Sequence, residues 1–506
     1  MVAKIDFAHV RLPARKDLQD DEYGVQLREH GEPTELPRRF SSFAMIGLAF
    51  SILNSWAGYT AAFTTPLEAG GAPVVFWAPL VASFACLIIT TGLAELASAF
   101  PSNGGQYHHV YMVAPPKARA VLAFPTAWLS IFGWLFTDVS AAFFVAQLCV
   151  GIAQFYYEGL TVTAWQMWLI YTLVIILAAV CVCFLPRLIP LIESSLFWLS
   201  LGSFIASLVA MLASSQHKQS ASFVFTQWSN QTGWSDGTAF LLAVGQSMWP
   251  WIGTDAATHI SEETPNPGRS VPRAMWLSVV IGTITILPYT LAMLFSIQDM
   301  EAVSDSALPI REVYLQALQS TTGATLLLIL LVLIFFGGVV GVTVTSGRLI
   351  WAFARNNGLP YSNAFARTDP KLQTPVNATL LTASFCIIYG LLYVASTQAF
   401  NSFIATAILT LNITYAVPQG IVLWRGRDMA LPPRQFDLGR RFGTFCNVFS
   451  CAWVALYAVL FCFPIKVPVQ AGSMNYVSGV MGGMAIFISA MWWFRGHGQF
   501  MKRTYY

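Results

Sequence analysis

The chain has 506 residues, of which 56% are hydrophobic and only 10% charged, with a formal net charge of +3. A water-soluble globule needs a far more charged surface, so this composition excludes one and points to a polytopic all-α membrane protein. The mild positive balance makes no case for nucleic acid as a partner. All eight cysteines lie in or beside apolar runs without metal-ligand spacing or a loop disulfide framework, so no metal is expected.

Residues 1–40 are polar, hold seven Lys/Arg and eight Asp/Glu, and contain no apolar signal-peptide core, which reads as a tail. The first apolar span, about 41–66, is interrupted by Asn54-Ser55-Trp56-Ala57-Gly58. Small polar residues of this kind suit helix packing or a break in the helix. Further spans are expected near 74–100, 120–155, 164–185, 188–214, 237–262, 272–297, 322–356, 375–397, 401–424, 446–465 and 475–495, about twelve in all. The sixth contains Trp249-Pro250-Trp251-Ile252-Gly253-Thr254-Asp255. Pro250 lacks an amide hydrogen and disfavours helix at Trp249, while Gly253 admits non-helical torsions. Such a segment is a kinked helix or an unwound one, and unwound backbone is tolerated only against protein or a cavity. Spans one and six are interrupted at similar depth in the two halves of the chain, which is a pointer to a transporter site.

Twelve spans with both tails in the cytoplasm place all but Lys218, Arg311 and Lys466 of the 27 Lys/Arg on the inner side, as the positive-inside rule requires. Five of them, Arg425, Arg427, Arg434, Arg440 and Arg441, are expected in one inner loop. The glycosylation acceptor Asn230-Gln231-Thr232 then falls in an outer loop.

Gly92-Leu93-Ala94-Glu95-Leu96, followed by Pro101-Ser102-Asn103-Gly104-Gly105-Gln106-Tyr107, resembles the signature of the amino acid, polyamine and organocation permeases, in particular the fungal amino acid/choline transporter branch. Asn54-Ser55-Trp56, the run Gly233 to Phe240, and the run Asp255 to Glu263 resemble the same branch in the same order. The resemblance implies five helices repeated in inverted orientation, with spans one and six broken and facing each other, and two helices appended. It implies a tail at 1–40, a transport core at 41–425, a loop and two further spans at 426–496, and a tail at 497–506. The expected activity is secondary transport of a small nitrogenous solute, an amino acid or related amine first, across the plasma membrane and with a proton. Choline, γ-aminobutyrate or polyamine transport, or a non-transporting nutrient sensor, remain the alternatives. The expected partners are the solute, the lipid bilayer and the coupling proton; no cofactor or enzymatic chemistry is expected, since no triad or phosphate loop occurs.

The site implied by the resemblance comprises Asn54, Ser55, Trp56, Ala57 and Gly58 of span one with Trp249, Trp251, Ile252, Gly253, Thr254 and Asp255 of span six. Ser55-Trp56-Ala57 stands where these permeases carry a Gly-Ser-Gly break, with both glycines replaced. Amides of residues 55–58 are expected to meet a carboxylate and carbonyls of residues 249–254 an amine. The indoles of Trp56, Trp249 and Trp251 offer cation-π attraction if they face the solute. Positive torsions are expected at Gly58 and Gly253. Asp138, Glu193, Glu95, Asp255 and Arg348 are ionisable groups inside spans, where each is a functional candidate by default. Asp138 suits a proton relay or an interhelical hydrogen bond, Glu95 an inner-side network, Asp255 a gate or a cap, and Glu193 an interfacial pair with Arg187. Thr345 and Ser346 either line a cation position or bond back to their own helix. Asp138, Glu95, Thr345 and Ser346 are thus the coupling candidates, with proton or sodium left open.

Overall fold

The computed structural model describes residues 36–157, 159–469 and 474–501, so most of the two expected tails lies outside the described residues. Among the described residues, ten helices are long and apolar enough to cross a membrane: Ala72–Ala99, Arg119–Tyr156, Ala164–Phe184, Ile189–Ser214, Pro267–Ser296, Thr321–Arg355, Val376–Ala395, Phe400–Arg425, Gly439–Leu460 and Val477–Gln499. Two more crossings are broken. One is Ser42–Leu53 continued, beyond Asn54, by Ser55–Ala62 and Thr64–Gly70. The other is Asp236–Gln246, followed by 3-10 turns at Trp249–Trp251 and Ala256–Glu263. Numbered along the chain, these are spans one to twelve, the broken ones being one and six. No strand occurs among the described residues.

Span two packs along span seven, span three along span eight, and span four along span nine, and the halves of broken span one meet the turns of span six, so four spans meet the one five places later. That pairing is the inverted-repeat arrangement of two five-helix halves. The most apolar stretch of span three is 83% buried, that of span twelve only 17%, which puts the first at the centre and the second at the rim. Exposed apolar side chains such as Phe84, Leu191, Ile284 and Ile486 cover outward faces, as hydrocarbon contact requires.

Two boundaries differ from the hydropathy reading. Span seven starts at Pro267, one turn early, because Asn266 (φ 46°) turns the chain and proline is accepted at a first helical position. Span eleven starts at Gly439, which moves Arg440 and Arg441 from the expected loop into its first turn. Short helices at Gln106–Val113 and Pro309–Leu318 were too brief to register as apolar runs.

The even alternation gathers the described Lys/Arg, except Lys218, Arg311 and Lys466, at one end of the bundle, and side-chain bonds close that end. Arg39 donates to the Leu372 carbonyl (2.9 Å) and Arg425 to the Val113 carbonyl (2.8 Å). At the opposite end Lys466 pairs with Glu68 (2.9 Å), and the Gln231 amide donates to the Glu68 carbonyl (2.9 Å).

Glu95 organises the basic end. Its carboxylate is buried and accepts from Arg427 (2.6 Å), Arg434 (2.7 and 2.9 Å) and the Leu438 amide (3.1 Å). Span two is thereby fastened to the segment joining spans ten and eleven. Removing one member of a buried ion pair strands the other, at about 3–5 kcal/mol. Glu95→Ala is therefore expected to lower the melting temperature and folded yield of detergent-solubilised protein sharply, measured by thermal unfolding and size-exclusion chromatography; an unchanged melt would show that the cluster carries no stability.

Candidate functional site

Span one breaks at a single residue. Asn54 takes left-handed torsions (φ 32°, ψ 55°), which asparagine tolerates better than other side-chain-bearing residues. Its amide still closes the first half by donating to the Phe50 carbonyl (2.7 Å), and its carbonyl opens the second by accepting from the Gly58 amide (2.8 Å). Gly58 itself keeps a negative φ inside the helix Ser55–Ala62, contrary to expectation. The Asn54 side chain accepts from Ser200 of span five (2.8 Å) and does not cap the second half. The first-turn amides of that half accordingly have no intrahelical acceptor.

The Trp56 indole is taken up by neighbouring spans. Its Nε1 donates to Ser200 (2.9 Å), and its ring packs 5.0 Å from Tyr289 of span seven and 6.0 Å from Phe204 of span five. Ser55 donates across to the Pro250 carbonyl (3.0 Å), joining the two broken spans directly.

In span six the α-helix stops at Gln246, and the backbone tightens to i→i+3 pairing, with Trp251 donating to Met248 (3.0 Å) and Ile252 to Trp249 (3.0 Å). Gly253 then turns with φ 84°. A Cβ there would stand 2.8 Å from the Trp134 ring and 3.2 Å from Ile52 Cγ2, so spans one, three and six meet at a point that excludes a side chain. The Gly253 amide reaches the Tyr415 hydroxyl of span ten (3.3 Å). Beyond it, Ala256–Glu263 is 3-10 rather than the expected α-helical half, with Thr258 amide and hydroxyl both donating to the Asp255 carbonyl (2.7 Å each).

Asp255 is fully buried and is not part of the lining of the cavity between the breaks. Oδ2 accepts from Gln106 (2.8 Å), Trp134 (3.1 Å) and the His259 Nε2 (2.9 Å), while Oδ1 accepts from Tyr415 (2.6 Å). It is a junction of spans three, six and ten with the helix Gln106–Val113, not a wall of the cavity. Below it, Arg348 pairs with Glu263 (2.8 Å) and Arg355 with Glu262 (2.8 Å), fastening span eight to the end of span six.

A cavity lies between the breaks. Ser51, Asn54, Ala57 and Gly58 of span one, Trp249 and Ile252 of span six, Thr137 and Ala141 of span three, and Phe335, Gly338 and Val342 of span eight line it. It leaves about 30 Å³ for the centres of water-sized molecules, room for roughly two waters, so the chain is closed around it. No charged side chain is in the wall. Ser55, Trp56, Trp251, Gly253, Thr254 and Asp255 stand behind it.

The remaining ionisable candidates separate. Asp138 is buried and accepts from Thr343 (3.1 and 3.3 Å), joining spans three and eight. Thr345 bonds back to the Gly341 carbonyl (3.0 Å) of its own helix, and the buried Ser346 hydroxyl has no partner among the described residues. Glu193 makes no interfacial pair with Arg187: it is fully buried and hydrogen-bonded to Ser51 of span one. Sequence reading missed Ser51, Trp134, Ser200 and Tyr415, whose partners are more than a hundred residues away and leave no local signal. Gln106 stood in plain view within the Gly-Gly-Gln-Tyr motif.

Residues 40–487 match the family model described as amino acid permease. The chain is 33% identical over 489 residues to a choline transporter of Saccharomyces cerevisiae, covering 96% of this chain and 86% of that one. It is 29% identical over 459 residues to a swainsonine transporter of Arthroderma benhamiae, covering 90% of each. It is also 26% identical over 503 residues to an amino-acid permease of Arabidopsis thaliana, covering 93% of this chain and 95% of that one.

The contrast between the two glycines is testable. A left-handed torsion costs an ordinary residue about 1–2 kcal/mol before any clash, whereas a Cβ on Gly58 meets Pro250 at an ordinary 3.4 Å. Gly253→Ala is expected to lower the melting temperature of the purified protein clearly, and Gly58→Ala to leave it unchanged or raise it. Equal melts for the two variants would contradict the turn at Gly253.

Proposed function

The chain belongs to the amino acid permease family, and from that premise we propose that it moves a small zwitterion, an amino acid or a related amine, across the plasma membrane by alternating access with a coupling proton. It is a membrane transporter and not an enzyme. The observation that carries the cargo reading is the pair of breaks, tied by Ser55 and Pro250, on either side of a cavity without charged walls. The uncapped first turn after Asn54, with Ala57 in the cavity wall, offers the Ala57 amide and a positive dipole end to a carboxylate. Trp249 offers an indole face to an ammonium group. A polyamine, with several positive charges and no acid in the wall, fits poorly.

Choline is the second cargo to consider. It uses the Trp249 half alone, and the choline transporter among the relatives favours testing it. We assign the transport core to residues 41–425 and the appended pair of spans to 426–496. The basic end is assigned to the cytoplasm, with both tails there, because Lys and Arg are retained on that side. The ion pairs of Glu262 and Glu263 then form an inner latch that must part for release.

Uptake of labelled amino acids, γ-aminobutyrate, choline and spermidine in a transport-deficient host tests the cargo. Saturable accumulation of a zwitterion or choline is expected, abolished by a protonophore and weakened by Trp249→Ala at equal surface abundance. Accumulation of spermidine alone would overturn the reading. For topology, an impermeant thiol reagent on intact cells is expected to label Gln231→Cys and spare Gln435→Cys; the reverse pattern would invert the assignment.

A further inference from the structure

We propose that Glu193 is the residue that carries the coupling proton, holding it in the closed state against the cavity-lining Ser51. The proposal rests on the proton-coupled reading above and adds the group that binds the proton. Glu193 is fully buried where spans one, five and eight cross. A Cβ on Gly47 of span one would stand 2.9 Å from the Glu193 carbonyl oxygen, and one on Gly341 of span eight 3.4 Å from Glu193 Oε1. The carboxyl is thus wedged between helices rather than directed to an interface.

Hydrogen counting decides its state. Oε2 is in short contact with the Ser51 hydroxyl, and that hydroxyl also lies 3.1 Å from the Leu48 carbonyl oxygen. Oε1 has no partner among the described residues. A serine hydroxyl has one hydrogen. If Glu193 were ionised, Ser51 would donate to it and face the Leu48 carbonyl with a bare oxygen, and Oε1 would be a buried anionic oxygen with no donor among the described residues. If Glu193 is protonated, its hydroxyl donates to Ser51, Ser51 donates to Leu48, and no buried charge remains. The geometry fits the neutral acid.

No cation takes the place of that proton. Span one has no charged residue between Arg39 and Glu68, and span seven none between Arg273 and its end at Ser296. Arg348 of span eight is paired with Glu263, and Arg187 and Arg39 lie at the basic end. The helix Pro309–Leu318 beside span five brings Arg311 and Glu312, and Tyr314 bonded to Tyr289 of span seven (2.7 Å). Among the described residues none forms an ion pair with Glu193.

Ser51 lies one turn before the break at Asn54 and lines the cavity. A proton on Glu193 therefore fastens span five to the half of span one that ends at the solute. Once the proton leaves, the carboxylate requires water, which enters only if span one parts from spans five and eight. Proton and solute binding then reinforce each other through span one, and by linkage each raises the affinity for the other. The proton is taken up from the non-basic end and released unchanged at the basic end.

Infrared spectra of the purified protein in lipid nanodiscs, recorded across a pH series, test the site without a substrate. Wild type is expected to show the carbonyl stretch of a protonated carboxyl at neutral pH, lost as pH rises; Glu193→Gln should lose a component of that band which Asp138→Asn retains. Ser51→Ala, which keeps the acid but removes its acceptor, should shift the band and its titration midpoint. A full-amplitude band in Glu193→Gln, or an unmoved band in Ser51→Ala, would overturn the proposal. In proteoliposomes, with labelled choline and labelled γ-aminobutyrate as probes, Glu193→Gln is expected to retain equal-concentration exchange and lose accumulation above the external level under an inward proton gradient. Gradient-driven accumulation by Glu193→Gln equal to wild type would overturn it. Should wild type move neither probe, the cargo reading fails while the infrared arm still decides the role of Glu193.

Discussion

A peptide group that leaves helical pairing at membrane depth must find its partner within the protein, because hydrocarbon supplies none. The arrangement around spans one and six follows from that constraint. Asn54 leaves the helix for one residue only, and its amide and carbonyl both stay paired within span one. Gly253 leaves it more completely, and the Tyr415 hydroxyl is brought from span ten to meet its amide. Ser55 spends its hydroxyl on the Pro250 carbonyl. What remains unpaired lies at the first turn after Asn54, beside the cavity. The polar groups free to meet a solute are those that the surrounding helices do not take up.

The same constraint links the cavity to the basic end. Tyr415 joins Gly253 to Asp255, and Asp255 joins Trp134, Gln106 and His259. His259 reaches the Asn103 carbonyl (2.9 Å), and Asn103 in turn bonds the Glu262 amide (3.0 Å). Glu262 and Glu263 end the chain of contacts on Arg355 and Arg348. A movement of the span-six backbone would therefore strain a continuous set of buried polar contacts that ends at the ion pairs of Glu262 and Glu263. Such a network is a rigid coupling element because each member loses a partner if its neighbour moves.

Much of this was legible in the sequence, and the unread part has physical reasons. Twelve crossings could be counted because apolar length and Lys/Arg partition agree. Both breaks could be placed because Asn54-Ser55 and Pro250 to Gly253 interrupt apolar runs with residues that suit non-helical backbone. Glycine is the default residue for a positive torsion, which points to Gly58 in span one, yet Asn54 adopts it and Gly58 remains helical. Trp56 and Asp255 could be placed near the site but not oriented, because a helix rotates about 100° per residue and small differences in the break decide the face. Proximity along the chain suggests Arg187 as the partner of Glu193, yet Ser51 takes that place. Arg187 lies in the turn at residues 185–188, before span five begins at Ile189, while the Glu193 carboxyl faces Ser51 of span one, so closeness in sequence does not imply a shared face.

The solute is expected to lie between the two breaks. A density map of the protein in lipid nanodiscs, determined with and without a saturating concentration of the solute identified by uptake, tests it most directly. The expected result is added density enclosed by Ala57 and Gly58 on one side and Trp249 and Ile252 on the other, in a cavity widened from its closed volume. Density elsewhere, with the space between the breaks unchanged, would contradict the account.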